Sequence, residues 1–266
     1  VCERVRPKMI LTESPSNPLL RIADLGAIRE LATACGALFA VDNTFLSPAL
    51  QNPIAFGADL VVHSTTKYIN GHSDVVGGAV VAATAELAEQ CAYWANVIGI
   101  TGAPFDSFMT LRGLRTLHPR IRQHEESACL IANVLSEQAN VTRVYYPGLE
   151  DHEGHSLARK QQRGFGGMVS FEIDGGEASV RSFVESLRYF SLAESLGGVE
   201  SLVCHPASMT HAPVSAERKA AAGVTPSLLR LSVGLESPDD LVEDVLAALD
   251  AATRAPQLKA VATGGC

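Results

Sequence analysis

Lys67 lies in the run His63-Ser64-Thr65-Thr66-Lys67-Tyr68-Ile69-Asn70-Gly71-His72-Ser73-Asp74. A primary amine set among hydroxyls is equipped to form an imine with the carbonyl of a cofactor, and Ser64 and Thr66 could hold a phosphate oxygen beside it. Twenty-five residues upstream, Asp42 opens Asp42-Asn43-Thr44-Phe45. A carboxylate facing a pyridine nitrogen keeps that nitrogen protonated, which lets the ring accept electrons from a substrate carbanion. Each residue alone has a plain explanation. A lysine at a strand end is usually solvated, and an aspartate after a strand is often a cap or turn former. The combination is what carries chemical meaning.

The elements around the two residues place them together. Ala58-Asp59-Leu60-Val61-Val62 reads as a short buried strand bounded by Gly57, and Leu38-Phe39-Ala40-Val41 as a second one. In open α/β sheets ligands bind beyond the carboxyl ends of the strands, so Asp42 and Lys67 should face one crevice. That acid-and-amine pair is what pyridoxal 5′-phosphate chemistry requires. Residues 22–35 have helical apolar spacing, with Asp24 in the first turn and Gly36 ending the helix. A strand at 78–82, a helix at 85–98 capped by Thr84, and a long helix at 105–138 kinked at Pro119 follow. Strands are expected at 141–146 and 166–173, and amphipathic helices at 178–187 and 239–252. This order predicts an α/β chain with a mostly parallel sheet over residues 1–125. A smaller α+β unit with an antiparallel sheet should span 126–260, before a tail at 261–266 with fraying from Ala255 on.

The resemblance to a known family rests on stretches in one order along the chain. They are Thr12-Glu13-Ser14-Pro15-Ser16-Asn17-Pro18, Val41-Asp42-Asn43-Thr44, Ser64-Thr65-Thr66-Lys67-Tyr68, Leu111-Arg112-Gly113-Leu114-Arg115-Thr116-Leu117, residues 193–202 (AESLGGVESL), Met209-Thr210-His211, and residues 229–236 (LRLSVGLE). The chain resembles the cysteine and methionine metabolism family of pyridoxal phosphate enzymes, within the aspartate-aminotransferase-like fold (fold type I), from about residue 7 to residue 252. The resemblance implies that Lys67 binds the cofactor and moves protons while Asp42 faces its ring nitrogen. Asn17 resembles the family's asparagine near the cofactor's 3-hydroxyl and the substrate carboxylate, though alone it would read as a turn former. Arg230 is a single cation in an alternating apolar run, suited to bidentate capture of an amino-acid carboxylate, and the resemblance assigns it that role. Ser195 matches a residue near the same carboxylate. Glu194 matches an acid found in members that act at Cγ of homoserine-type substrates.

The closing stretches look nearer to members that join an O-acylhomoserine to cysteine than to those that cleave the product. A γ-lyase or a homoserine sulfhydrylase shares every motif and stays open. Family members also carry an N-terminal glycine loop, a stacking aromatic and a Tyr-x-Arg element, none of which is found in this sequence. The expectation is therefore a fragment that alone binds cofactor weakly, associates with itself and has little activity, so a silent remnant is a further alternative. The resemblance also implies a homotetramer.

Composition narrows the other classes. Of 266 residues 47% are hydrophobic and 19% charged, a normal balance for a globule with a sizeable core. A net charge of −8 argues against nucleic acid or an anionic membrane as partner. No run of about 18 apolar residues and no secretory signal is found. Cys2, Cys35, Cys91, Cys129, Cys204 and Cys266 form no CxxC pair and fit a reduced, cytoplasmic chain, with Cys35, Cys91 and Cys129 packing as small hydrophobes. Cys204-His205 lacks a third orienting group for nucleophilic catalysis. His152-Glu153-Gly154-His155 reads as a polar surface loop rather than a metal site, with no third ligand in sequence. Walker-type, HExxH and GxGxxG patterns are missing, which disfavours a Rossmann-type binding protein.

Overall fold

The computed structural model describes residues 2–254, so the tail expected from Ala255 on lies outside the described residues. After α1 (Cys2–Val5) and β1 (Met9–Glu13) come α2 (Leu25–Cys35), β2 (Leu38–Asp42), α3 (Ser47–Leu50), β3 (Leu60–Ser64), β4 (Gly78–Ala82), α4 (Ala85–Ile98), α5 (Pro104–Leu114) and α6 (Leu117–Ser136). The second half holds β5 (Val141–Tyr145), α7 (His155–Gln161), β6 (Met168–Ile173), α8 (Gly176–Ser186), β7 (Ser191–Leu192), β8 (Leu202–Cys204), α9 (Ala216–Ala222), β9 (Leu228–Ser232) and α10 (Pro238–Arg254). The fold is α/β, as the alternation of strand and helix patterns predicts.

The first sheet has the order β1-β2-β3-β4, with β1, β2 and β3 parallel and β4 antiparallel to β3. Helix α2 covers it because its apolar stripe, including Leu25 and Ala32, packs with Phe39, Val41 and Val61. Asp24 is the N-cap rather than a first-turn residue, accepting from the Ala27 amide at 3.0 Å. Gly36 closes the helix at φ 65°, a left-handed conformation that glycine adopts without a Cβ penalty.

The second sheet has the order β5-β6-β9-β8-β7 and is antiparallel except for the β7–β8 pair, which is parallel. Its core is built from α6, α8 and α10 around Val169, Phe171, Leu229 and Leu231. Strands β7 and β8 have two and three residues, too short for an alternation pattern to reveal them in sequence.

The expected long helix over 105–138 is two helices, and the break falls at Arg115–Thr116 rather than at Pro119. Pro119 sits in the first turn of α6, where its missing N–H has no intrahelical acceptor to lose. A separate cluster joins the two sheets: Leu20, Phe45, Leu46, Tyr68, Leu117, Ile121, Met168 and Leu196 pack together. Tyr68 follows Lys67 and Leu196 follows Ser195, so burial of these neighbours holds two distant polar residues in register. Among the described residues no helix is long and apolar enough to cross a membrane. Cys129 is exposed on α6 rather than packed inside, because it lies on the face turned from the sheet.

Candidate active site

The site begins at the carboxyl ends of β1, β2 and β3. Asp42 closes β2, and its Oδ1 accepts from the Thr44 amide at 2.9 Å. The Thr44 hydroxyl accepts in turn from the Ser64 amide at 2.9 Å, so one threonine ties the ends of β2 and β3 together. Strand β3 runs two residues later than the apolar run alone indicated, and half-buried Ser64 is its last residue. Glu13 stands in register with Asp42, and its Oε2 accepts from the Asn17 amide at 3.1 Å. Burial raises the Glu13 pKa, the Asn17 bond opposes this, and the Asp42 charge adds to the rise.

Lys67 follows in a tight turn. Its amide donates to Ser64 O at 3.3 Å, and the Gly71 amide donates to Lys67 O at 2.8 Å. The Thr66 hydroxyl donates to Gly77 O at 3.3 Å and accepts from Gly77 N at 3.0 Å, which commits it to the backbone leading into β4. Tyr68 is buried with its ring edge-on to His124. The half-buried Lys67 Nζ donates to Ser195 Oγ at 3.0 Å. Burial lowers the pKa of this amine, and the positive charge of Arg230 lowers it further.

Arg230 rises from the middle of the second sheet, on β9 between Ser170 of β6 and Cys204 of β8. It is 1% exposed, which rules out a side chain snorkelling from a sheet edge. Its Nη1 donates to Asn17 Oδ1 at 2.8 Å, and its Nη2 donates to the carbonyls of Glu194 at 2.8 Å and Ser195 at 3.2 Å. The Nε–H has no acceptor among the described residues. Among the described residues no carboxylate pairs with this buried guanidinium, so its charge is met only by neutral oxygens.

The loop carrying Glu194 and Ser195 is fixed from the second sheet. The Gly197 amide donates to Ser232 Oγ at 2.8 Å, and Glu236 accepts from Ser201 N and Ser201 Oγ, each at 2.8 Å. Gly197 has φ 75°, and a Cβ there would stand 2.8 Å from Tyr68 N. Only glycine lets this loop lie directly on the backbone beside Lys67.

Lys67, Ser195, Arg230 and Asn17 are thus brought into one hydrogen-bonded group, with Asp42 and Ser64 joined to each other through Thr44. Glu194 contributes its backbone carbonyl to Arg230, while its side chain is exposed. Sequence reasoning missed Glu13, Thr44, Ser232 and Glu236. The first two stand within strand-end motifs, and the last two flank LSVGLE, so the signal was adjacency to residues already singled out. The Cys204-His205 pair does not form: the His205 ring bonds Ser208 Oγ at 2.7 Å and Pro226 O at 2.9 Å, and burial raises the Cys204 pKa. His152 Nδ1 accepts from the Gly154 amide, and His155 Nδ1 pairs with Pro147 O, so both rings serve their own loop.

Known proteins share this sequence and fold. The family model described as Cys/Met metabolism PLP-dependent enzyme matches residues 2–250. The chain is 54% identical over 240 residues to cystathionine gamma-synthase of Escherichia coli (strain K12), covering 90% of this chain and 62% of that protein. It is 47% identical over 245 residues to cystathionine gamma-lyase of Dictyostelium discoideum, covering 92% of this chain and 63% of that protein. The structure superposes at a TM-score of 0.92 on cystathionine gamma synthase from Xanthomonas oryzae pv. oryzae in complex with aminoacrylate and cysteine. The identity there is 64%, over 93% of this chain and 64% of the other. The chain therefore spans less than two thirds of the length of these relatives.

Proposed function

The chain belongs to the Cys/Met metabolism family of PLP-dependent enzymes, and from that premise we propose that it serves a γ-replacement joining an O-acylhomoserine to L-cysteine to give cystathionine. The observation that carries this reading is the link between amine and guanidinium through Ser195. Lys67 Nζ bonds the side chain of Ser195, and Arg230 bonds the backbone of the same residue.

The residues fit pyridoxal 5′-phosphate. An aldehyde needs a neutral amine, and burial holds Lys67 below the ordinary lysine pKa. A pyridine nitrogen needs a carboxylate, and Asp42 closes β2 in the crevice. The phosphate would take the Ser64 and Thr66 hydroxyls, with Thr66 giving up its bond to Gly77 O. The unpartnered Arg230 Nε fits an amino-acid carboxylate beside the cofactor, with Asn17 holding the other side of the guanidinium. When bound, the cofactor supplies an electron sink for a carbanion at the substrate Cα.

The chain's own residues then have separate tasks. Arg230 and Asn17 orient the substrate carboxylate, which fixes the Cα–H bond toward Lys67. Lys67 Nζ would take the proton from Cα, pass it on, and as a free base again take one from Cβ. It would return protons in the reverse order once the new bond at Cγ has formed, with Ser195 Oγ holding the amine between transfers. The carboxylate of the ester leaves from Cγ, and the cysteine sulfur takes its place there. Asp42 would hold the ring nitrogen of the bound cofactor protonated. Glu194 is exposed, and its carboxylate would meet the ammonium group of the incoming cysteine.

The test is an assay with an O-acylhomoserine and cysteine. Cystathionine formed in excess of α-ketobutyrate is the expected result. Dominant α-ketobutyrate from cystathionine would assign the γ-lyase reading, and preference for sulfide over cysteine would assign a homoserine sulfhydrylase. Asp42→Asn should keep cofactor bound and lower kcat by roughly 10²- to 10³-fold, because a neutral amide does not hold the ring nitrogen protonated. Equal kcat in variant and parent would remove Asp42 from the mechanism.

We also infer self-association. Helix α4 buries none of its residues, and Tyr93, Trp94, Val97 and Ile98 on it, with Phe105 and Phe108 on α5, are exposed. An apolar face of this kind is typical of subunit contacts. The free thiols of Cys2, Cys91, Cys129 and Cys204 suit a reducing cytoplasm.

A further inference from the structure

Arg120 is the second buried arginine, 6% exposed on α6, and no carboxylate pairs with it among the described residues. Burying an unpaired guanidinium costs several kcal/mol unless its N–H groups are met. Here they are met by oxygens around the Lys67 turn. Nη1 donates to Tyr68 O at 2.8 Å. Nη2 donates to Ile69 O at 3.2 Å and to Gly113 O at 2.8 Å. Nε donates to Thr116 Oγ1 at 3.1 Å. Gly113 lies at the carboxyl end of α5, where carbonyls carry negative partial charge, so the helix end supplies part of the missing counter-charge.

This arrangement completes the backbone of the turn that bears Lys67. The carbonyl of Lys67 takes the Gly71 amide, those of Tyr68 and Ile69 take Arg120, and that of Asn70 pairs with His72 Nδ1 at 2.7 Å. The fit is close on both sides. A Cβ at Gly113 would stand 2.5 Å from Asn70 O, and one at Gly71 would stand 2.0 Å from Arg120 Nη1. The Asn70–Gly71 backbone is thus packed tightly between Gly113 and the Arg120 guanidinium.

We propose that Arg120 is a positioning residue for the Lys67 amine: by clamping the Tyr68 and Ile69 carbonyls to the end of α5, it fixes the direction in which Lys67 reaches Ser195 and Arg230. The proposal rests on the reading of Lys67 as the reacting amine, but its test does not. The rival is that Arg120 only ties α6 to the first sheet, which would affect stability and nothing at Lys67.

The measurement is labelling of Lys67 by a small acylating reagent in the full chain without cofactor, read by mass spectrometry as a function of pH, alongside Tm. Arg120→Met and Arg120→Lys should raise the midpoint of Lys67 labelling by about one pH unit, because a loosened turn lets water reach the amine and moves it from Arg230. Lysine should not rescue, since a point ammonium cannot reach three carbonyls and a hydroxyl. Thr116→Val, which removes the Nε acceptor and the hydroxyl's own bond to Gly113 O but leaves the three carbonyl contacts of Arg120, should move the midpoint in the same direction by less. In the cofactor-loaded protein Arg120→Met should lower kcat at least about tenfold with a smaller change in KM. A lowered Tm with an unmoved Lys67 midpoint would overturn the proposal. If Arg120→Met does not fold, an unmoved midpoint in Thr116→Val overturns it instead. The labelling midpoint reads the amine's surroundings directly, whether or not Lys67 proves to be the residue that carries the cofactor.

Discussion

Lys67→Ala is expected to abolish the visible absorbance of bound cofactor and to lower turnover by roughly 10³-fold or more, while the fold persists. Two functions are lost together, attachment and proton transfer, and the described residues place no second amine beside Ser195. Stability should change by no more than about 1 kcal/mol, because a half-buried amine held below its ordinary pKa contributes little net energy. The pH dependence has a definite sign. Attachment needs the neutral amine, and a lowered pKa keeps more of Lys67 neutral near pH 7 than an ordinary lysine would be. Attachment rate should therefore fall as pH drops below that lowered pKa, and should not need the strongly alkaline pH of a solvated lysine. Absorbance and kcat of the variant check the first part and the parent's rate of cofactor attachment across pH checks the second, and a variant with full absorbance and turnover would remove Lys67 from the chemistry.

The second large effect is at Arg230. Arg230→Lys should raise KM for the amino-acid substrate by about 10- to 100-fold, with a smaller effect on kcat. A charge-assisted hydrogen bond contributes about 1.5–3 kcal/mol, and an ammonium cannot offer a planar pair of N–H groups to a carboxylate. The shorter reach also leaves Asn17 Oδ1 and the carbonyls of Glu194 and Ser195 without their donor. The loop beside Lys67 should loosen and Tm should fall. Initial-rate kinetics over a substrate series separates the two effects. An unchanged KM with a lowered Tm would make Arg230 a structural residue only.

What the sequence disclosed was local. Asp42 and Lys67 each follow a short apolar strand, so the rule that sites form beyond carboxyl ends placed both at the same edge of the sheet. The bond between Lys67 and Ser195 joins residues from opposite halves of the chain, and that between Asn17 and Arg230 spans even more of it. No spacing discloses such contacts; the family resemblance grouped Asn17, Ser195 and Arg230 around one carboxylate, and the Lys67–Ser195 bond came from the structure alone. Glu194 shows the limit of reading side chains alone, since its backbone oxygen is what meets Arg230. Arg120 was invisible for a related reason: it is one of two arginines on a helix of mixed polarity, and it looks as solvated as Arg122 until the helix is known to press on the Lys67 turn. The break before α6 was misplaced because Pro119 drew attention from Gly113 and Thr116, where close packing against the turn ends α5. The carboxyl end of helix α2 was legible to the residue because Gly36 is a local signal, whereas its start was read three residues early, with Asp24 inside the first turn instead of at the N-cap.

The central claim is that one particular amine of this chain carries the cofactor. The sequence has five lysines, Lys8, Lys67, Lys160, Lys219 and Lys259. Loading the protein with pyridoxal 5′-phosphate, reducing it with borohydride, and sequencing its peptides by mass spectrometry identifies which amine holds the group. The cofactor mass is expected on the peptide at Lys67, and should be lost in Lys67→Ala. Cofactor fixed instead to Lys8, Lys160, Lys219 or Lys259, with Lys67 unmodified, would contradict the claim.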